Sequence, residues 1–264
     1  MPANLDLKSA RFEARTYLEG ELHPVLPFSR TCKECPLSTG CSVGGTGPDD
    51  LSKVKLIVIS DHPGYYETLK GYSQVPVYLV KEDGKRKSRL PERRNSGQFL
   101  RDLISDCFGL CHWSEVYYTN ALKCDPLHKG RKINVSEKQH LGICAGNWLR
   151  WELETLNQYA PTAPILVGGS IALKALQMLY PGLPNGKLND LRRREDLHAG
   201  EHPVVVTFNP AAPARSEARL ETEVGMKYKK PVLEVKNLQW WFPVLPGSPV
   251  WVFLKDIEPL AKLL

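Results

Sequence analysis

Residues 54–64 read Val-Lys-Leu-Ile-Val-Ile-Ser-Asp-His-Pro-Gly. The first six form a short, mostly apolar run that ends at polar and turn-forming residues. Near-continuous rather than alternating apolarity is the pattern of a strand buried on both faces, as in a parallel sheet. Three further runs outward from it share that character: residues 115–119 (EVYYT), 164–167 (PILV) and 203–208 (PVVVTF). Between them the apolar spacing becomes helical. Phe99, Leu103 and Ile104 mark a helix over 97–107. A long helix is predicted over 136–159, with Ser136 as N-cap ahead of Leu141 and Trp148, and another over 170–179. Strands alternating with helices predict an α/β fold with a central four-stranded parallel sheet covered on both faces.

The chain has 264 residues, 42% apolar and 24% charged, with a net charge of +6. That composition excludes disordered, collagen-like and coiled-coil classes. A modest basic excess favours a polyanionic partner. No run approaches the roughly 20 apolar residues of a membrane span, and the first residues lack an apolar leader core. The expectation is a cytoplasmic protein with no membrane contact and no obligate protein partner, a monomer of one domain spanning 1–264. Residues 5–19 read as an amphipathic helix. Residues 81–94 carry seven basic and three acidic side chains and read as an exposed loop or hairpin, part of a basic insertion near 68–96. A Trp- and Pro-rich extension from about residue 216 ends in an amphipathic helix that is expected to pack on the body.

Functional residues in open parallel sheets gather beyond the carboxyl ends of the strands. Here the first strand is followed by Asp61, His62 and Gly64, the second by Asn120, the third by Gly168, Gly169 and Ser170, and the fourth by Asn209. Gly169 and Ser170 open a helix whose N–H groups suit a phosphate, with a plain turn and N-cap as the alternative. Seven cysteines include Cys32-x-x-Cys35 in the Gly- and Ser-rich loop 31–47. Cys124 follows the second strand, and Cys144 falls in the long helix. Four such thiolates suit a [4Fe–4S] cluster or tetrahedral zinc, and their spacing does not choose between the two. Cys41, Cys107 and Cys111 remain, with Cys41 the nearest rival as a ligand.

Six blocks in order over residues 31–215 resemble the uracil-DNA glycosylase superfamily, most closely its iron–sulfur family 4 type. They are Cys32-Lys33-Glu34-Cys35-Pro36-Leu37; Ser60-Asp61-His62-Pro63-Gly64-Tyr65-Tyr66-Glu67; Val116-Tyr117-Tyr118-Thr119-Asn120-Ala121-Leu122-Lys123-Cys124; Cys144 with Trp148-Leu149; Leu166-Val167-Gly168-Gly169-Ser170-Ile171-Ala172; and Thr207-Phe208-Asn209-Pro210-Ala211-Ala212-Pro213-Ala214-Arg215. The resemblance implies a three-layer α/β/α sandwich, a [4Fe–4S] cluster on Cys32, Cys35, Cys124 and Cys144, and excision of a base from DNA. It implies catalytic roles for Asp61, His62 and Asn209, and a base pocket of Asn120, Gly64, Tyr65 and Tyr66. Gly169, Ser170 and Arg215 would contact DNA. By their charge, Arg192-Arg193-Arg194, Lys227 with Lys229 and Lys230, and the stretch 81–94 suit DNA phosphates, with a solvated face as the alternative for each.

The chain departs from the family pattern at three positions. The usual Glu is Asp61, the usual Ala is His62, and the closing His is Asn209. These departures surround the flipped base, so a modified pyrimidine is expected as substrate, with glucosylated hydroxymethylcytosine of phage DNA the leading candidate and antiviral defence the setting. Ordinary uracil excision in repair, an inactive DNA-binding or damage-sensing scaffold, and a zinc-stabilised nucleic-acid module are the alternatives.

Overall fold

In the computed structural model, which describes residues 43–64, 67, 73, 78–79, 93–94, 96–111, 114–125, 138–214, 233–235, 238–240 and 247–264, the run at 54–59 becomes β1 (Leu56–Ser60). The strand begins two residues later than its apolar run because a 3-10 turn, Leu51–Lys53, precedes it and Val54 closes that turn on the Leu51 carbonyl. A short antiparallel pair follows, β2 (Tyr78–Leu79) with β3 (Arg93–Arg94), so a hairpin base brackets most of the basic stretch. Then come α1 (Ser96–Phe108) and β4 (Val116–Asn120). The long helix expected over 136–159 is α2 (Lys138–Cys144), a π-helical turn at Ala145–Leu149, and α3 (Arg150–Tyr159). β5 (Ile165–Gly168), α4 (Ser170–Leu179), α5 (Leu188–Leu191), β6 (His198–Ala199) and β7 (His202–Thr207) complete the body. A second antiparallel pair, β8 (Leu233–Val235) with β9 (Leu238–Trp240), precedes α6 (Pro249–Ile257) and α7 (Leu260–Leu263).

The central sheet has the order β4-β1-β5-β7-β6, and the first four of these strands are parallel. The expectation of four strands is thereby corrected to five. β6 is a two-residue strand folded back on β7 through a tight turn. Two residues are too few to show any periodicity, which is why the sequence pattern did not reveal it.

Each parallel strand sends alternate side chains to opposite faces, as the pleat requires. Leu56, Val58, Val116, Tyr118, Leu166 and Val205 enter one core, where α1 contributes Phe99, Leu103 and Ile104 and α6 contributes Phe253 and Leu254. Ile57, Ile59, Tyr117, Ile165, Val167 and Val206 enter the other, with Leu149, Leu153 and Leu156 around α3 and Ala172 and Leu176 of α4. The amphipathic helix expected at the end of the chain is thus α6, packed edge-to-face through Phe253 on Phe99 at 6.0 Å. The free edge of β4 is covered by the chain at Thr46, which exchanges backbone hydrogen bonds of 2.7 and 2.6 Å with Tyr118. Gly45 permits this approach, because a Cβ there would fall 2.0 Å from the Tyr117 hydroxyl. No described helix is long and apolar enough to cross a membrane.

The connection after β1 leads outward to β4, and the next returns across β1 to β5. β1 and β5 are therefore neighbours whose connections diverge, the arrangement that opens a crevice beyond their carboxyl ends. On the β7 side, α6 is tied to the sheet by one carboxylate. Asp256, fully buried, accepts from Arg192 Nε and Nη2 at 2.6 and 2.9 Å and from Thr207 Oγ1 at 3.2 Å. The Arg192 guanidinium also lies 3.8 Å over the Phe208 ring.

Asp256→Ala would remove the charged partner of the largely buried Arg192 guanidinium, leaving it the Asn189 Oδ1 contact at 3.2 Å. The expected loss is about 3–5 kcal/mol, read as a lower urea midpoint at unchanged slope. A loss below about 1 kcal/mol would show that Arg192 finds water or another acceptor instead.

Candidate active site

The register of β1 puts Ser60 beside Asn120 on one side and Gly168 on the other, so three of the four strand ends meet within one step of Asp61. Asp61 is buried. Its Oδ1 accepts from the backbone N–H groups of Ile171 and Ala172, both at 2.9 Å. These belong to the first turn of α4, whose amides have no partner within the helix and carry its positive dipole end. Oδ2 accepts from Asn209 Nδ2 at 3.3 Å. One carboxylate therefore joins the ends of β1, β5 and β7. Gly169 makes room for it: its φ is +123°, and a Cβ there would lie 2.3 Å from the Asp61 oxygens. Burial, the largest influence, pushes the Asp61 carboxyl above its ordinary range. The Ala172 amide, Asn209, His62 and the Ile171 amide pull it part of the way back.

Asn209 is itself oriented. Its Oδ1 accepts from the Ala211 N–H at 3.0 Å, so its amide nitrogen faces Asp61. His62 is partly exposed, with Nδ1 3.1 Å from the Pro63 carbonyl. A carbonyl only accepts, so in the neutral ring Nδ1 carries the hydrogen and Nε2 is left as an acceptor. The Gly64 N–H donates to Glu67 Oε2 at 2.8 Å.

Asn120 is fully buried, and its Nδ2 donates to Glu67 Oε1 and to Ser73 Oγ, each at 3.2 Å. Its Oδ1 has no hydrogen-bond partner among the described residues. Ser73 is held in turn. Its hydroxyl donates to the Gly44 carbonyl at 2.9 Å, its N–H to Thr46 Oγ1 at 3.2 Å, and its carbonyl accepts from Arg101 at 3.3 Å. Sequence reasoning did not assign Glu67 or Ser73 a role. Glu67 ends the block that begins at Ser60, which was the available signal. Nothing local marks Ser73, because its partners lie 27 to 47 residues away.

A second buried network lies behind Asn120. Lys123 Nζ donates to Thr119 Oγ1 and to Glu152 Oε2, both at 2.6 Å, while Glu152 Oε1 accepts from the Gly45 N–H at 3.1 Å. It pins the end of β4, the start of α3 and the edge segment together. Val43 adds a 2.7 Å backbone bond to the Lys123 carbonyl, one residue before Cys124. Cys144 is buried in the core under the sheet, and Cys124 packs against that same core. Cys144 ends α2 where the π turn begins, and such turns mark functional positions in helices. The Cys124 and Cys144 side chains are both soft sulfur donors, of the kind that an iron–sulfur cluster or zinc takes. Cys32 and Cys35 lie outside the described residues, and among those residues no three His, Cys, Asp or Glu side chains gather as metal ligands.

Tyr65, Tyr66 and Arg215 also lie outside the described residues, as do Ser136, Lys227, Lys229, Lys230, the expected helix at 5–19 and most of the basic stretch. Ser170 is exposed at the start of α4, but the N–H groups of Ile171 and Ala172 are engaged by Asp61, so an anion at this terminus would meet a carboxylate. Of the three consecutive arginines, Arg192 turns inward to Asp256 and Arg194 pairs with Asp196. Arg193 is half-exposed and makes a longer contact of 3.4 Å to Asp256. No family model matches the chain, and no curated protein matches it.

The Asp61 carboxyl holds its proton more tightly in the folded than in the unfolded chain, so ionising it costs folding stability. The cost is absent below the ordinary carboxylate range and complete above Asp61's own raised value. Asp61→Asn, which cannot ionise, is expected to gain stability relative to wild type as pH rises through that window. A difference in unfolding midpoint that stays flat or moves the other way would show that the α4 amides outweigh burial.

Proposed function

We propose that this protein is a monofunctional DNA glycosylase acting on a modified pyrimidine, with glucosylated hydroxymethylcytosine of phage DNA as its leading substrate and antiviral defence as its role. The observation that carries the reading is the Asp61–Asn209 hydrogen bond at the switch point, with His62 beside it and Asn120 on the adjoining strand end. Asp61, His62, Asn120 and Asn209 end or follow three strands of the parallel sheet, at the edge where an α/β sheet accepts ligands.

Excision breaks the bond between C1′ of the sugar and N1 of the base. The hydroxyl of a water joins C1′, and the departing base takes the proton. Positive charge builds on the sugar and negative charge on the base, and the nucleotide must leave the stack to reach the groups that stabilise both. The Asp61 carboxylate, rigidly held by two amides and Asn209, suits the cationic sugar. One hydrogen of Asn209 Nδ2 goes to Asp61, and the other suits a base carbonyl where charge develops. His62 offers Nε2 to the attacking water. Tyr65 and Tyr66 supply rings for stacking. Cys32, Cys35, Cys124 and Cys144 would hold a [4Fe–4S] cluster, whose contribution is to brace the loops beside Asn120.

A second reading, an inactive DNA-binding scaffold, draws support from Asp61 itself, since both of its oxygens already serve the fold. Incubation with glucosylated phage DNA, uracil-containing DNA and unmodified DNA separates these readings. Free modified base and abasic sites are expected from the first alone. Asp61→Ala and Asn120→Ala are each expected to lower the rate by at least about a hundredfold. Rapid uracil release with no action on the glucosylated DNA would restore an ordinary uracil glycosylase. Tight binding without base release from any DNA would favour the inactive scaffold.

The cluster is tested separately. Cys144→Ala is expected to lose iron, brown colour and solubility together, because binding and folding of such centres are coupled. Full iron in Cys144→Ala, with loss in Cys41→Ala, would move the ligand set to Cys41.

A further inference from the structure

We infer that the C-terminal helix α6 belongs to the working site: Asp256, whose hydrogen bonds all go to Arg192, Arg193 and Thr207, is a positioning residue that sets Asn209 against Asp61. The inference rests on the glycosylase reading for the role of Asn209, and deepens it by naming what holds that residue in place.

Sheet pairing of β7 ends at Thr207, opposite Gly168. Phe208 and Asn209 lie past the ladder, where strand pairing no longer fixes the main chain. Among the described residues, the hydrogen bonds of 209–214 are local apart from the one to Asp61. The Ala211 N–H donates to Asn209 Oδ1, the Ala212 N–H to the Asn209 carbonyl and the Ala214 N–H to the Pro210 carbonyl. These bonds shape the turn and orient the Asn209 amide within it, but they travel with the turn and do not place it over the sheet.

Its place follows from the two residues before it, and one carboxylate holds both. Thr207 Oγ1 donates directly to Asp256 Oδ2. Phe208 is held through Arg192, whose Nε and Nη2 form a two-pronged pair with Oδ2 and Oδ1 of Asp256. That fork fixes the direction of the guanidinium as well as its position, and the guanidinium lies against the Phe208 ring. Arg193 reaches the same carboxylate from a left-handed backbone, φ +67°, which a residue with a Cβ keeps only where its surroundings impose it. The anchor itself is firm: Asp256 is fully buried, and α6 is packed into the core by Phe253 and Leu254.

The Asp61–Asn209 bond depends on this placement. At 3.3 Å it already exceeds the usual N–H···O range of about 2.7–3.2 Å, so a small outward shift of the turn would break it. Residues 249–257 lie beyond the blocks that resemble the glycosylases, so the C-terminal extension supplies more than packing.

The test uses the full-length protein. Arg192→Met with Asp256→Leu removes the buried ion pair at similar volume, an exchange that folded proteins often tolerate. Asp256→Asn, which keeps one acceptor oxygen, is measured beside it. Carbon-13 NMR of the Asp61 carboxyl against pH is the first readout. Asn209 pulls the proton affinity of that carboxyl down, so losing its contact raises the titration midpoint. The double variant is expected to raise it by at least about 0.5 pH unit, and Asp256→Asn to move it in the same direction. Phe253→Leu loosens the same helix without touching Asp256, and is expected to lower the urea midpoint while leaving the Asp61 midpoint in place. For base release, the double variant is expected to lose at least about tenfold in kcat with KM within about twofold of wild type. A folded double variant or Asp256→Asn with a wild-type Asp61 midpoint overturns the inference. So does an equal shift in Phe253→Leu, or base release by the double variant at the wild-type rate. Shifted midpoints in a protein that releases no base from any DNA overturn the glycosylase reading and leave the positioning by Asp256 standing.

Discussion

Asp61 stands just past the end of β1, a strand buried along its whole length, and replaces a missing turn of hydrogen bonds at the start of α4. A helix that begins directly after a buried strand leaves its first amides unpartnered in a place that water reaches poorly, and a carboxylate from the neighbouring strand is a compact way to satisfy two of them. Because the same group also receives Asn209, the ends of β1, β5 and β7 cannot shift independently. The site inherits its rigidity from a requirement of the fold. This also explains why the carboxylate tolerates burial that pushes its proton affinity up: the amides and Asn209 oppose the desolvation without cancelling it.

Buried polar groups recur around this centre, each with partners drawn from distant parts of the chain. Asn120 meets Glu67 and Ser73; Thr119 and Lys123 meet Glu152; Thr207 and Arg192 meet Asp256. Such pairs contribute little net stability compared with apolar packing of the same volume, yet breaking one is costly. Their value here is geometric. Each fixes the carboxyl end of one strand, and those ends carry the side chains suited to chemistry. The apolar cores on the two faces supply the driving force, and the polar networks fix the positions of Asp61, Asn120 and Asn209.

Much of the fold was readable because hydrophobic periodicity is a local property. The runs at 54–59, 115–119, 164–167 and 203–208 became the four parallel strands, shifted by at most two residues, and α4 matched its expected bounds of 170–179. The misses have equally local causes. β6 is too short to show a period. The π turn after Cys144 interrupts a helix whose apolar spacing continues through it, so residues 136–159 read as unbroken. Arg192 resembled a phosphate contact because a run of three arginines looks exposed, and only Asp256, 64 residues away, draws it inward.

The sequence by itself determined the α/β class, the order of the strands along the chain, and the polar residues that follow each of them. It marked Asp61, His62, Asn120 and Asn209, because strand ends in such sheets are where side chains are free of core packing. Only the tertiary structure decided which of these touch. The Asp61 hydrogen bonds span 110, 111 and 148 residues, and those of Asn120 span 53 and 47. Hydrogen-bond direction depends on the identity of the partner across space, and that pairing arises when the sheet brings β1, β4, β5 and β7 side by side. An asparagine in a sequence can present either face of its amide; a carboxylate and a committed hydroxyl, folded against it, leave it one.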